Sequence, residues 1–201
     1  MTRPYSGRRD ERGRKDRTSE KATENEGIVF ELGHDFISDS RSTFKKEYPV
    51  VYVIGKDYYS ILKLYLKRPL TVVVGDLIDL NTKKNDFQLI KRVTSEKIPK
   101  GSEFALEDIV NKLIKEQEPK FVEFFNEAKP ITTKLHQLKL LPGVGQKRMW
   151  TIIDTRKTQP FQNYSDIEER IGIDPIPLIS GRIMEELKGK ERYPLFTRYK
   201  T

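Results

Sequence analysis

The chain has 201 residues, no cysteine, a formal net charge of +8, 36% hydrophobic residues and 34% charged residues. Without cysteine there is no disulfide, thiolate zinc site, iron–sulfur cluster or cysteine nucleophile, and the two histidines, His34 and His136, leave little for a metal. An apolar share below the usual ~45–50% leaves part of the chain outside a core, and runs such as Val72-Val73-Val74 fall far short of the roughly 20 residues that span a bilayer, so a cytoplasmic protein with no membrane partner is expected.

Residues 1–26 hold eight basic and six acidic residues with Tyr5 as the only large apolar side chain. That is too little buried surface to offset the entropy of ordering, and a disordered basic tail is expected.

Residues 27–100 form short runs rich in β-branched and aromatic residues: 28–32, 50–54, 59–67, 70–80 and 87–93. Turn chemistry at Gly55-Lys56-Asp57 and Lys67-Arg68-Pro69 separates them. Strands of this number and length predict a small closed β-barrel of the oligonucleotide-binding or S1-like kind. Along 61–67, Leu62, Leu64 and Leu66 share one face and read as core. Tyr59, Lys63, Tyr65 and Lys67 read as a basic, aromatic surface for unpaired bases.

In 101–129 the period becomes helical, with Leu106, Ile109, Val110, Leu113 and Ile114 on one stripe and Phe121, Val122, Phe124 and Phe125 after Pro119. Pro119 either begins a second helix or kinks the first, and the segment reads as a helical connector.

Residues 130–188 carry the sharpest local signal. Thr132 is expected to cap a short helix bearing Leu135, Leu138 and Leu141; then come Pro142, Gly143, Val144 and Gly145, and a helix opening on Gln146, Lys147 and Arg148. Glycines at i and i+2 let backbone N–H groups approach a ligand. A helix amino terminus favours an anion there, and Lys147 and Arg148 add charge for a phosphate. These residues resemble the helix-hairpin-helix motif, although Met149 stands where that family usually has Ala. The resemblance implies a reader of the phosphate backbone largely indifferent to base sequence; a hairpin used only for packing is the plainer alternative.

Downstream, Ser165-Asp166-Ile167-Glu168 reads as a capping box. With Gly172, Asp174 and a following helix carrying Leu178, Ile179, Ile183, Met184 and Leu187, it resembles a second, degenerate hairpin of a tandem domain. Asp174 would repel a phosphate, so this hairpin is expected to be structural. Residues 189–201 interleave bases with Tyr193, Phe196 and Tyr199. This tail either stacks on unpaired bases or docks Leu195 and Phe196 on the core.

The expected fold class is therefore α+β, a small barrel followed by an all-α tandem helix-hairpin-helix domain. Barrel, connector and hairpins in this order resemble an archaeal family of unknown function described only as predicted RNA-binding proteins. That resemblance implies a non-catalytic nucleic-acid binder, and with no nucleophile beside a base, phosphate-binding loop or dinucleotide fingerprint in the sequence, neither a cofactor nor a small-molecule substrate is expected. The resemblance favours ribosomal or precursor ribosomal RNA and contact with the ribosome. DNA stays open, because a phosphate-directed hairpin does not read the 2′-hydroxyl. Two other classes compete. A DNA-binding repair protein is one: a helix-hairpin-helix glycosylase would use Asp166, whose surroundings lack the Val-Asp-x-His pattern of such enzymes, and nuclease chemistry would need clustered carboxylates, for which Asp76 with Asp79 and Glu185 with Glu186 are the nearest pairs. A protein–protein adaptor would expose an apolar patch including Trp150, Phe121 and Phe125. The charge excess favours the hairpins: residues 130–201 carry +5, against +1 for 27–129.

Overall fold

A computed structural model describes residues 24–38, 45–68, 70–82 and 84–198. The expected amino-terminal tail lies outside the described residues up to position 23, as do Tyr199 and Lys200.

The β-branched and aromatic runs form five strands, β1 (Glu26–Ser38), β2 (Lys45–Gly55), β3 (Ile61–Leu66), β4 (Leu77–Asp79) and β5 (Phe87–Val93). They make one sheet in the order β4-β1-β2-β3-β5, with every neighbouring pair antiparallel. A bulge between Val29 and Glu31 adds to the curl of β1. Among the described residues β4 and β5 are the two edges and do not pair, so the expected closed barrel is an open, curled half-barrel.

Both faces of this sheet are core. Val29, Val51, Val53, Leu62, Leu64, Leu66, Ile78 and Phe87 pack together on the inner face. Ile28, Phe30, Val50, Tyr52, Ile54, Ile61 and Tyr65 point the other way and join a larger cluster shared with the helices. The period-two alternation is real, but its second face is covered by protein and not by solvent.

The 70–80 run departs further from expectation. Only Leu77–Asp79 is strand; Gly75 adopts a left-handed φ of 96°, and Asp76 Oδ2 accepts from the Val73 amide at 2.9 Å. That turn leaves Val73 and Val74 62% and 52% exposed.

The helices are α1 (Ser102–Glu116), α2 (Glu118–Glu127), α3 (Gln146–Thr158), α4 (Tyr164–Ile171) and α5 (Pro175–Glu186). Pro119 opens α2, where its missing N–H would have been unpaired anyway. The expected helix from Thr132 does not form. Thr132 Oγ1 instead accepts from the amides of Lys134 and Leu135 at 3.3 and 3.1 Å, and only a 3-10 turn follows over Gln137–Leu140. Pro142 holds Leu141 extended (φ −74°, ψ 131°), leaving too little chain for an α-helix. The cap of α4 also differs: Asn163, not Ser165, accepts from the Asp166 amide at 2.8 Å, and Ser165 lies inside the helix.

Arginines tie these short helices together. Arg156 on α3 donates to the carbonyls of Phe125 and Ala128 at 2.7 and 2.8 Å, satisfying the end of α2. Arg170 on α4 donates to Thr155 and Gln159 carbonyls at 3.0 and 2.7 Å, doing the same for α3. The carboxy-terminal segment docks instead of standing free: Phe196 is 9% exposed and meets Phe121 and Phe124 edge-on at 5.2 and 5.0 Å. One cluster of buried residues therefore runs from Ile28 through the helices to Phe196.

Candidate nucleic-acid interface

The turn between the 3-10 segment and α3 is built by its glycines and by a packing contact behind it. Gly143 has φ 76°, a conformation that costs any residue with a Cβ. Val144 is buried and anchors the turn, its amide donating to the Leu141 carbonyl at 3.1 Å. Pro142 is half-buried against α5, where a Cβ on Gly181 would sit 3.1 Å from Pro142 Cγ. Gly181 is thus what lets the turn seat closely on α5, a dependence that its position far along the chain conceals.

Gly145 has an ordinary φ of −80° and open space where a Cβ would be. No side chain caps α3, and its first helical hydrogen bond runs from the Met149 amide to the Gly145 carbonyl at 3.0 Å. The amides of the first turn are left facing outward, where the helix dipole concentrates positive potential. Lys147 is exposed beside them. Arg148 is also exposed, but its guanidinium reaches back to the Gly143 carbonyl at 2.9 Å, so it braces the turn as well as charging it.

Asp174, by contrast, closes its own helix amino terminus, accepting from the Ile176 amide at 2.9 Å. The turn before α5 offers a carboxylate where the turn before α3 offers bare amides. Asp166 is likewise engaged, accepting from the Gln162 amide at 2.9 Å and from Arg170 at 3.1 Å.

The strand residues of the expected surface do not assemble into one. Tyr59 is fully buried, its hydroxyl donating to Gln117 Oε1 at 3.1 Å, and burial pushes its ionisation far up. Tyr65 is 2% exposed and donates to Asp35 Oδ2 at 2.7 Å. Lys63 donates to the same carboxylate and lies over the Tyr52 and Tyr65 rings at 5.1 and 5.3 Å. Neither tyrosine presents a face to a base: Gln117, Lys120 and Phe121 close over Tyr59, and the ammonium groups of Lys63 and Lys91 lie over the ring of Tyr65. Lys67 alone of this group is exposed, and it donates to the Asn85 carbonyl at 2.8 Å. Phe121 and Phe125 are core as well, which leaves Trp150, 49% exposed, as the open member of the expected apolar patch.

A cavity of about 160 Å³ lies beside the hairpin. Gln146, Met149, Trp150 and Ile153 line it from one stripe of α3, and the Thr132 turn with His136 closes it from the other side. His136 Nδ1 accepts from the Leu138 amide at 3.2 Å; burial, then the nearby Arg156 charge, lowers its pKa. Its place here was not legible from sequence, although the spacing of Gln146, Met149, Trp150 and Ile153 marks one helix face. A wider hollow of about 480 Å³ lies where Lys56, Asp57 and Tyr58 meet Gln117, Pro119 and Lys120. Its lysine side chains are already bonded, Lys120 to the Asp57 carbonyl and Gln117 Oε1, and Lys56 to Glu26.

Among the described residues no helix is long and apolar enough to cross a membrane. An uncharacterised protein of Methanocaldococcus jannaschii is 34% identical over 160 residues, covering 78% of this chain and 74% of that protein. A crystal structure of an Archaeoglobus fulgidus protein is 33% identical with a TM-score of 0.71, covering 87% of this chain and all of that one. The family model for proteins of unknown function DUF655 matches residues 23–198, and the chain, with its curled half-barrel sheet and five helices, belongs to that archaeal family.

Proposed function

We propose that this chain is a non-catalytic nucleic-acid-binding protein of the cytoplasm that grips phosphate through a helix-hairpin-helix turn spanning Pro142 to Arg148. The observation that carries this reading is the uncapped amino terminus of α3 behind Gly145, with Lys147 exposed beside it and no Cβ in the way of an approaching anion. Asp174 at the second hairpin gives the contrast: only one of the two turns is dressed for an anion. The curled five-stranded sheet supports reading the first half as an oligonucleotide-binding or S1-like barrel, a fold that is often partly open. Here the sheet serves chiefly as a scaffold, since its tyrosines are core.

RNA is the proposed ligand, with ribosomal or precursor ribosomal RNA and the ribosome as its setting, and DNA is the competitor. The test is a titration of labelled ribosomal RNA fragments and of DNA duplexes against the full chain at several salt concentrations. Lys147→Ala is expected to weaken binding across sequences and to reduce the salt slope by about one. Affinity and slope unchanged in this variant would overturn the hairpin assignment.

A further inference from the structure

The cavity beside the hairpin has a chemistry that phosphate binding does not use. Its floor is apolar, formed by Met149 and Ile153, and its wall is the indole of Trp150. Trp150 is 49% exposed, whereas Phe121, Phe125 and Tyr59 of the neighbouring core are fully buried. The volume of about 160 Å³ is well below the ~300–1,000 Å³ of a site for a drug-sized ligand, and suits a single flat ring system.

Its charged rim groups are donors, and the Thr132 and Thr133 hydroxyls and the Gln146 amide beside them can donate or accept. Because His136 Nδ1 accepts from the Leu138 amide, the ring proton sits on Nε2, which meets no acceptor among the described residues, while the residue as a whole is 8% exposed. Lys134 and Lys139 line the same rim, and neither side chain is bonded to another group among the described residues. An apolar slot with an aromatic wall, a ring N–H and flanking ammonium groups complements a nucleobase, whose faces are apolar, whose edge carries carbonyl and ring-nitrogen acceptors, and whose sugar is joined to phosphates.

We propose that this cavity takes one unpaired base stacked on Trp150 while the hairpin holds a neighbouring phosphate. Gln146 belongs to both features, as the first residue of α3 and as part of the cavity wall. The inference rests on the hairpin reading given above and narrows its ligand to single-stranded or bulged nucleic acid. In a duplex the base is stacked and paired, so reaching the cavity would cost a few kcal/mol of unstacking.

Trp150 is the single tryptophan of the chain, so its emission reports on this site alone. The full chain is titrated with a fluorescein-labelled single-stranded RNA, and with the same strand annealed to its complement, following anisotropy. A parallel titration with unlabelled strands follows tryptophan emission. The single strand is expected to bind more tightly and to quench Trp150; Trp150→Ala should lower its affinity about tenfold or more and leave the duplex nearly unchanged. Trp150→Tyr, which keeps a stacking ring, should restore most of the loss. Equal binding of both ligands, with no quenching and no effect of Trp150→Ala, would overturn the base site while leaving the hairpin intact. Binding of neither at low salt would overturn the hairpin reading and this inference together.

Discussion

Arg182 and Glu186, one turn apart on α5, form an ion pair at 2.7 Å with side chains only 3% and 0% exposed. The Glu186 carboxylate also accepts from the amides of Leu195, Phe196 and Thr197 at 2.6, 3.0 and 2.8 Å, and from the Thr197 hydroxyl. A buried carboxylate so fully bonded fixes the tail that places Phe196 on α2. Glu186→Ala leaves Arg182 with Glu191 (2.9 Å) as its close carboxylate and strips the acceptor from three buried or half-buried amides, and is expected to cost about 3 kcal/mol in chemical denaturation. It should also open residues 190–198 to proteolysis.

Two residues before Arg182, the Ser180 hydroxyl is buried with no hydrogen-bond partner. Ser180→Ala removes a desolvated polar atom and loses no bond, so it should raise stability by up to about 1 kcal/mol. A lower denaturation midpoint would mean that the hydroxyl has a partner in solution.

The two glycines of the turn should separate folding from binding. Gly143→Ala forces a Cβ into a left-handed conformation and is expected to cost about 1–2 kcal/mol. Gly145→Ala meets neither strain nor a neighbouring atom, so stability should hold, while its methyl stands over the amides of α3 and weakens nucleic-acid binding. Thermal melts and anisotropy titrations on the two variants check both statements.

Asp35 sets an acid limit. The hydrogen bond from Lys63 is the main cause holding its carboxyl at about 2 against an ordinary 3.8; burial pushes the other way, and Tyr65 adds to the lowering. A carboxylate with a lowered folded-state pKa stabilises the fold above its unfolded pKa and loses that contribution as pH falls through its folded value. Denaturation midpoints should therefore decline from about pH 4 towards pH 2. Asp35→Asn should flatten this part of the profile, with a modest amplitude because the carboxylate is partly exposed.

Glu24 governs the turn at Tyr59. Its carboxylate accepts from the amides of Asp57, Tyr58 and Ser60 at 2.9, 3.1 and 2.9 Å, around a tyrosine held at φ 53°. A Cβ on Gly55 would lie 2.0 Å from Glu24 Cδ. Gly55→Ala must expel the carboxylate and leave those amides unpaired, which should cost at least about 2 kcal/mol. A melt unchanged from the parent would refute the clamp.

Local chemistry was legible where it decides local structure. Runs of β-branched and aromatic residues placed β2, β3 and β5, Pro119 marked the boundary at which α2 begins, and the spacing of Gly143 and Gly145 marked the turn before α3. What was hidden depends on distant partners. Tyr59 and Tyr65 look like a stacking surface until Gln117, Lys120 and Phe121 close over the first and Asp35, Lys63 and Lys91 engage the second. Val73 and Val74 look like strand core until Asp76 folds the segment into a turn. The cavity beside Trp150 exists because the turn at Thr132, held by its own hydroxyl, comes to rest against α3, a meeting that no periodicity records.

The division of labour among the cations has one more consequence. Between 130 and 198 every arginine has an internal engagement: Arg148, Arg156, Arg170 and Arg182 with carbonyls or carboxylates, and Arg192 and Arg198 over tyrosine rings. Lys134, Lys139 and Lys147 at the hairpin keep their ammonium groups uncommitted among the described residues. Around α3, guanidinium thus braces the turn and the helix ends while these three ammonium groups stay free for solvent. Reagents or enzymes that acetylate lysine and ignore arginine would strip most of the charge from this face and leave the arginine contacts of the helices standing.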